Sequence, residues 1–121
     1  MKDLFEVSGK ELARRLRQGK ISAQELVEEY IRKMKAVNPR LNAVVCDRYD
    51  MAREEARKAD QQMSSTPVEQ WPEFLGVPCT VKESFALEGM PNSAGLVSRK
   101  DLGLWSGRGT DYRVKTRVDK S

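Results

Sequence analysis

Residues 74–84 read FLGVPCTVKES, from Phe74 to Ser84, an apolar run that turns charged at Lys82. Val77, Cys79 and Val81 alternate with Pro78, Thr80 and Lys82, the period-two spacing of a β-strand, which sends Lys82 to the side opposite the apolar residues. Pro78 has no amide hydrogen, so such a strand carries it where a ladder donor is not needed. The run therefore predicts a strand over Phe74–Val81. By periodicity alone Lys82 is an ordinary solvated lysine at a strand end, of the kind that guards an edge against pairing. Two features favour a chemical role. Lys82 is the only lysine between Lys58 and Lys100, and GMPNSAG (89–95), loop-forming throughout, follows it closely, where α/β proteins gather ligand chemistry. A lysine desolvated there gives up its proton readily and can act as a base.

Upstream the pattern is helical. Ser8-Gly9-Lys10-Glu11 has capping-box spacing; Leu12 and Leu16 share one face, and Gly19 supplies a left-handed stop, which predicts a helix over residues 9–18. Ser22 and Glu25 repeat the device. Leu26, Val27, Tyr30, Ile31 and Met34 then recur at helical spacing, and Pro39 predicts an end near Val37 because it disfavours helical geometry at Asn38. LNAVVC, Leu41 to Cys46, is short and β-branched and predicts a strand. Tyr49 to Met63 predicts a third helix with a narrow stripe of Met51, Ala52, Ala56, Ala59 and Met63, whose alanines permit close packing. Residues 64–73, SSTPVEQWPE, have the composition of a surface connection. The order helix, helix, strand, helix, strand predicts the α/β class.

The bulk composition narrows the chemistry. At 121 residues the chain makes one modest domain or part of one, and its 33% charged residues read as soluble. The opening MKDLFEVSGK is too charged for a signal peptide and no run reaches the roughly 20 apolar residues of a membrane span, so a cytoplasmic chain is expected. Cys46 and Cys79 show no CxxC spacing and are expected to be reduced and buried; neither a metal site nor a cofactor is suggested. There is no histidine, which excludes a Ser-His-Asp triad, a Cys-His pair and any histidine base within these residues. Residues 1–98 hold 15 basic and 15 acidic side chains, whereas residues 99–121 hold seven and three, so the whole net charge of +4 sits at the end of the chain. Arg108, Arg113, Lys115 and Arg117 beside Trp105 and Tyr112 offer some charge and stacking surface, but a tail of +4 is only weakly basic and no nucleic-acid partner is expected.

FLGVPCTVKESFALEGMPNSAGLVSRKD (74–101) resembles the lysine segment of amidase-signature hydrolases. The preceding order, SGKELARRLRQGKISAQELVEEYIRKMKAVNPRLNAVV and then the alanine-rich helix, is similar too, so the likeness runs over about residues 6–101. It implies a larger mixed β-sheet flanked by helices, of which this chain holds the first helices and strands. It further implies a Ser-cisSer-Lys triad that hydrolyses amides, with Lys82 as the proton carrier held neutral, and a fatty-acid amide as the substrate class once the enzyme is complete. No cofactor is implied.

The family's two triad serines lie downstream in a glycine- and serine-rich stretch of the GGSSGG kind, which also supplies oxyanion donors, and these 121 residues contain none. Ser64 and Ser65 lack the glycines, while Ser84 and Ser93 belong to the lysine segment itself. The likeness stops near Asp101, where the charge step also falls. Residues 1–101 are thus expected to be the amino-terminal part of an amidase domain and 102–121 a divergent, disordered basic tail, as in a truncated, alternatively spliced or shifted-frame product. Such a chain is expected to be inactive alone. The alternative is a non-enzymatic interaction fragment, with a full-length relative as its expected partner.

Overall fold

The computed structural model describes residues 3–82. They form three helices, α1 (Gly9–Arg17), α2 (Ala23–Leu41) and α3 (Tyr49–Ser65), then one 3₁₀ turn (Val68–Gln70) and an irregular segment to Lys82. Ser84, Ser93, the loop 89–95 and the tail 102–121 lie outside the described residues.

The helix boundaries follow from local chemistry. At α1 the Ser8 Oγ accepts from the Glu11 amide at 3.1 Å, but the expected reciprocal bond is replaced: the Glu11 carboxylate accepts from Arg14 Nε at 2.7 Å and Arg15 Nε at 3.1 Å. Gly19, at φ 68°, ends α1. Its amide bonds the Leu16 carbonyl while that of Lys20 bonds Arg15, the paired reversal that satisfies the last carbonyls of a helix. At α2 the capping box is complete, with Glu25 N to Ser22 Oγ at 3.1 Å and Ser22 N to Glu25 Oε2 at 3.5 Å.

Three expectations need correcting. First, α2 does not stop near Val37 but runs through Pro39 to Leu41. Asn42, at φ 47°, closes it by donating to the Asn38 carbonyl at 2.7 Å, so Asn38 is held helical by its own partners despite the proline beside it. Second, Leu41–Cys46 is not a strand. The Asn38 side-chain amide donates to the Val44 carbonyl and accepts from the Val44 amide, both at 2.9 Å, so the groups a neighbouring strand would bond are taken locally. Third, Phe74–Val81 is not a strand either: residues 73–76 form a turn, with Leu75 N to Pro72 O and Val77 N to Phe74 O at 3.1 Å, and 77–82 has no ladder. Among the described residues there is no strand, and the α/β expectation gives way here to a helical fold. A strand exists only through a partner's backbone, which sequence alternation does not supply.

The core gathers Leu12, Ala13 and Leu16 of α1, Ala23, Leu26, Val27 and Ile31 of α2, Ala56 and Ala59 of α3, and Leu75 and Val77 beyond the turn. The expected alanine stripe does face α2, except that Met51 is exposed. Cys46 and Cys79 are exposed and outside any disulfide, against the expectation of burial. Among the described residues no helix is long and apolar enough to cross a membrane.

Candidate active-site segment

The segment that ends in Lys82 is tied to the helices from both sides. Arg17, at the end of α1, donates to the carbonyls of Val68 at 3.2 Å and of Trp71 and Pro72 at 3.4 Å, and Trp71 Nε1 donates to the Thr66 carbonyl at 2.8 Å. The connection after α3 is thereby folded back onto α1. Leu75, Gly76 and Val77 are then buried among the helices, Pro78 is half-buried, and the chain emerges through exposed Cys79 and Thr80 to exposed Lys82. Gly76 is where the segment touches all three helices: a Cβ there would stand 2.8 Å from Met63 Cε, 3.0 Å from Ala23 Cβ and 3.4 Å from Leu16 Cδ1. Only glycine fits this approach, and its φ of 84° also favours glycine.

The neighbouring charges serve the scaffold. The Asp60 carboxylate on α3 accepts from the Ala23 amide at 2.7 Å, the Gln24 amide at 3.1 Å and Gln24 Nε2 at 3.0 Å, so one helix caps the start of another. Arg53 holds Glu28 through two bonds, at 2.9 and 3.0 Å, and Asp50 at 3.0 Å. Its guanidinium keeps the Glu28 carboxyl below the usual carboxylate range. Arg48 grips Glu55 at 2.6 and 3.1 Å, while Arg48 Nε is buried without an acceptor. The sequence reading missed Asp60 and this pair. The signal was present for Glu55, which falls on the same helical phase as Ala52, Ala56 and Ala59.

Of the sequence-derived candidates, the described residues leave Lys82 exposed. Ser64 and Ser65 turn their hydroxyls back onto the Gln61 carbonyl, each at 2.9 Å, as a helix end does. An open cavity of about 620 Å³ lies between the end of α2 and the start of α3, bordered by Lys35, Asn38, Tyr49 and Arg53 among others, and no residue of 74–82 lines it. No group of three or more His, Cys, Asp or Glu side chains among the described residues is placed to hold a metal ion.

The described residues are thus three helices closed by a segment that leads to Lys82. A crystal structure of a bacterial aryl acylamidase of the amidase-signature enzymes superposes with a TM-score of 0.81 at 30% identity, over 95% of this chain and 24% of that one. The amidase family profile matches residues 25–102, and the chain belongs to that family. Within it the chain is similar to fatty-acid amide hydrolase 2 of Homo sapiens, 44% identical over 104 residues, which is 81% of this chain and 19% of the relative. It is also similar to fatty-acid amide hydrolase 2-A of Danio rerio, 42% over 104 residues, covering 82% and 20%. Indoleacetamide hydrolase of Bradyrhizobium diazoefficiens is 41% identical over 98 residues, covering 81% and 18%. The chain spans about a fifth of the length of these curated relatives.

Proposed function

We propose that this chain is the lysine-bearing portion of an amidase-signature hydrolase that acts on fatty-acid amides, with Lys82 as the proton carrier of a Ser-Ser-Lys triad, and that it is inactive by itself. The observation that carries the reading is the GVPCTVKES segment, anchored to the helices through Leu75, Gly76 and Val77 and free to present Lys82 to the rest of an active site. In the completed enzyme, neutral Lys82 takes a proton through a bridging serine from the nucleophilic serine. That oxygen attacks the amide carbonyl, and the proton passes on to the leaving amine. Serines and oxyanion donors are the parts these residues do not supply. Ser64 and Ser65 are spent on α3.

Residues 102–121 stand outside the amidase portion in this reading; the family match ends at 102, beside the charge step. The two exposed thiols outside any disulfide favour a reducing, cytoplasmic setting, and disulfide-linked protein isolated from cells under thiol-blocking conditions would speak against it.

The test uses the purified chain and a hybrid in which its residues 25–102 replace the matching residues of human fatty-acid amide hydrolase 2. The chain alone should leave a long-chain primary amide unhydrolysed, and the hybrid should hydrolyse it. Lys82→Ala should lower the hybrid's kcat/KM by on the order of a thousandfold or more. Turnover by the chain alone would end the claim of inactivity. A hybrid equally active without Lys82 would remove its role, and a folded but dead hybrid with Lys82 present would favour the non-enzymatic fragment.

A further inference from the structure

Arg17 is the last residue of α1, and its guanidinium reaches far along the chain. Arg32, Arg53 and Arg57 each hold a carboxylate on the helix surface. Arg17 instead donates to three backbone carbonyls, that of Val68 at 3.2 Å and those of Trp71 and Pro72 at 3.4 Å. Two of these carbonyls also accept a backbone amide, Val68 O from Trp71 N and Pro72 O from Leu75 N, each at 3.1 Å, and Val77 N to Phe74 O adds the next turn. Arg17 thus holds the start of a hydrogen-bonded run from residue 68 to residue 77. A planar fork meets several acceptors at once in a fixed geometry, which an ammonium on a flexible stem does not. The stretch so held buries little. Residues 67–70, 73 and 74 are exposed, and only Trp71 of this connection packs against the core. Burial resumes at Leu75, Gly76 and Val77, and five residues further on stands Lys82.

We infer that Arg17 is a positioning residue for Lys82: it fixes the turn from which the lysine segment departs, and its loss displaces the lysine while the helices stay folded. The inference rests on reading Lys82 as the proton carrier, and it adds a residue of α1 that acts through it. The contacts divide the work. Gly76, close to Met63, Ala23 and Leu16, sets how deep the segment lies between the helices, whereas the exposed stretch before it takes its direction from Arg17. Five residues span at most about 17 Å, so a tilt of the turn at 72–77 is carried to Lys82. A proton transfer is sensitive to such a displacement: about 1 Å costs on the order of a hundredfold in rate.

The experiment has a structural arm and a kinetic one. In the chain itself, Arg17→Ala should raise hydrogen–deuterium exchange at the Trp71 and Leu75 amides by about tenfold or more, and leave the Leu26 and Val27 amides of α2 within about twofold. The kinetic arm uses the hybrid extended upstream to begin at Ser8, so that α1 is this chain's own, with rates expressed per folded protein from circular dichroism. Arg17→Ala should lower kcat by about 10- to 100-fold and change KM by less than about threefold. Arg17→Lys, which can meet one carbonyl but not three, should recover part of the loss, and it carries the same comparison if the alanine variant does not fold. Asp60→Ala, which removes a cap elsewhere, should leave kcat within about threefold. A double-mutant cycle then separates position from stability: in the Lys82→Ala hybrid, Arg17→Ala should cost less than about twofold more, because the group it positions is gone. Equal losses with and without Lys82 would overturn the inference in favour of a purely structural role. A rate indifferent to Arg17→Ala, a change in KM alone, or unchanged exchange at Trp71 and Leu75 would overturn it too. A hybrid indifferent to Lys82→Ala removes the catalytic reading itself, whereas one that needs Lys82 and ignores Arg17 keeps that reading and loses only the positioning role.

Discussion

Gly76 carries the tightest steric demand of the described glycines. Its φ of 84° is costly for any residue with a Cβ, and that Cβ would collide with Ala23 and Met63. Met63 can swing away, but Ala23 sits in the first turn of α2 and cannot. Gly76→Ala should therefore lower stability by about 2–4 kcal/mol, combining left-handed strain with overpacking, as measured by urea unfolding. Glu11 illustrates an electrostatic effect at the surface. Hydrogen bonds from Arg14 and then Arg15 lower its carboxyl to about 2, from an ordinary value of 4.5. A depressed folded value means that the ion pairs stabilise α1 fully above about 4.5 and that this contribution is lost as the pH falls towards about 2. Carboxyl NMR should show Glu11 titrating in that window, with α1 loosening as it protonates; an unshifted titration would show that the arginines do not hold it in solution.

The helices owe their limits to their own residues and their arrangement to one another's. α2 is the clearest case. Ser22 and Glu25 box its start, yet Asp60 of α3 receives two more of its first amides. Asp60→Ala should cost about 1–2 kcal/mol in urea unfolding, since it removes a charged cap and leaves the half-buried Ala23 amide bond unmade. Asp60→Asn should recover part of that, because the amide oxygen still accepts. At the far end, Asn38 and Asn42 carry α2 past Pro39. The capping signatures of α1 and α2 and the alanine stripe of α3 were legible because each depends on residues three or four apart. The continuation past Pro39 was not, because it depends on Val44, six residues on, folding back to Asn38.

At the scale of the molecule, the buried apolar residues among those described fall between Leu12 and Val77 and link all three helices to the closing segment. If residues 102–121 lie outside the amidase portion, a chain ending at Asp101 should keep its urea midpoint, with a difference within about 0.5 kcal/mol. A larger loss would place the tail in the fold. The described residues leave Lys82 exposed.

The residues of the chain, taken in order, determined the three helices, the serine caps that start α1 and α2, the glycine that ends α1 and the segment that bears Lys82. Those features depend on near neighbours and on side-chain types that any reading of the order can see. The family likeness around GVPCTVKES was likewise written in local residues. What only the tertiary structure decided was that neither β-like run pairs here, that Asp60 and Arg53 join α2 to α3, and that Arg17 holds the connection after α3. Alternation marks a face that suits a sheet, but a sheet edge, a cap from another helix and a clamp on a remote turn are relations between distant segments. Their free energy comes from the partner, and where the described residues offer Val44 only the amide of Asn38, the partner it meets is a side chain and not a strand.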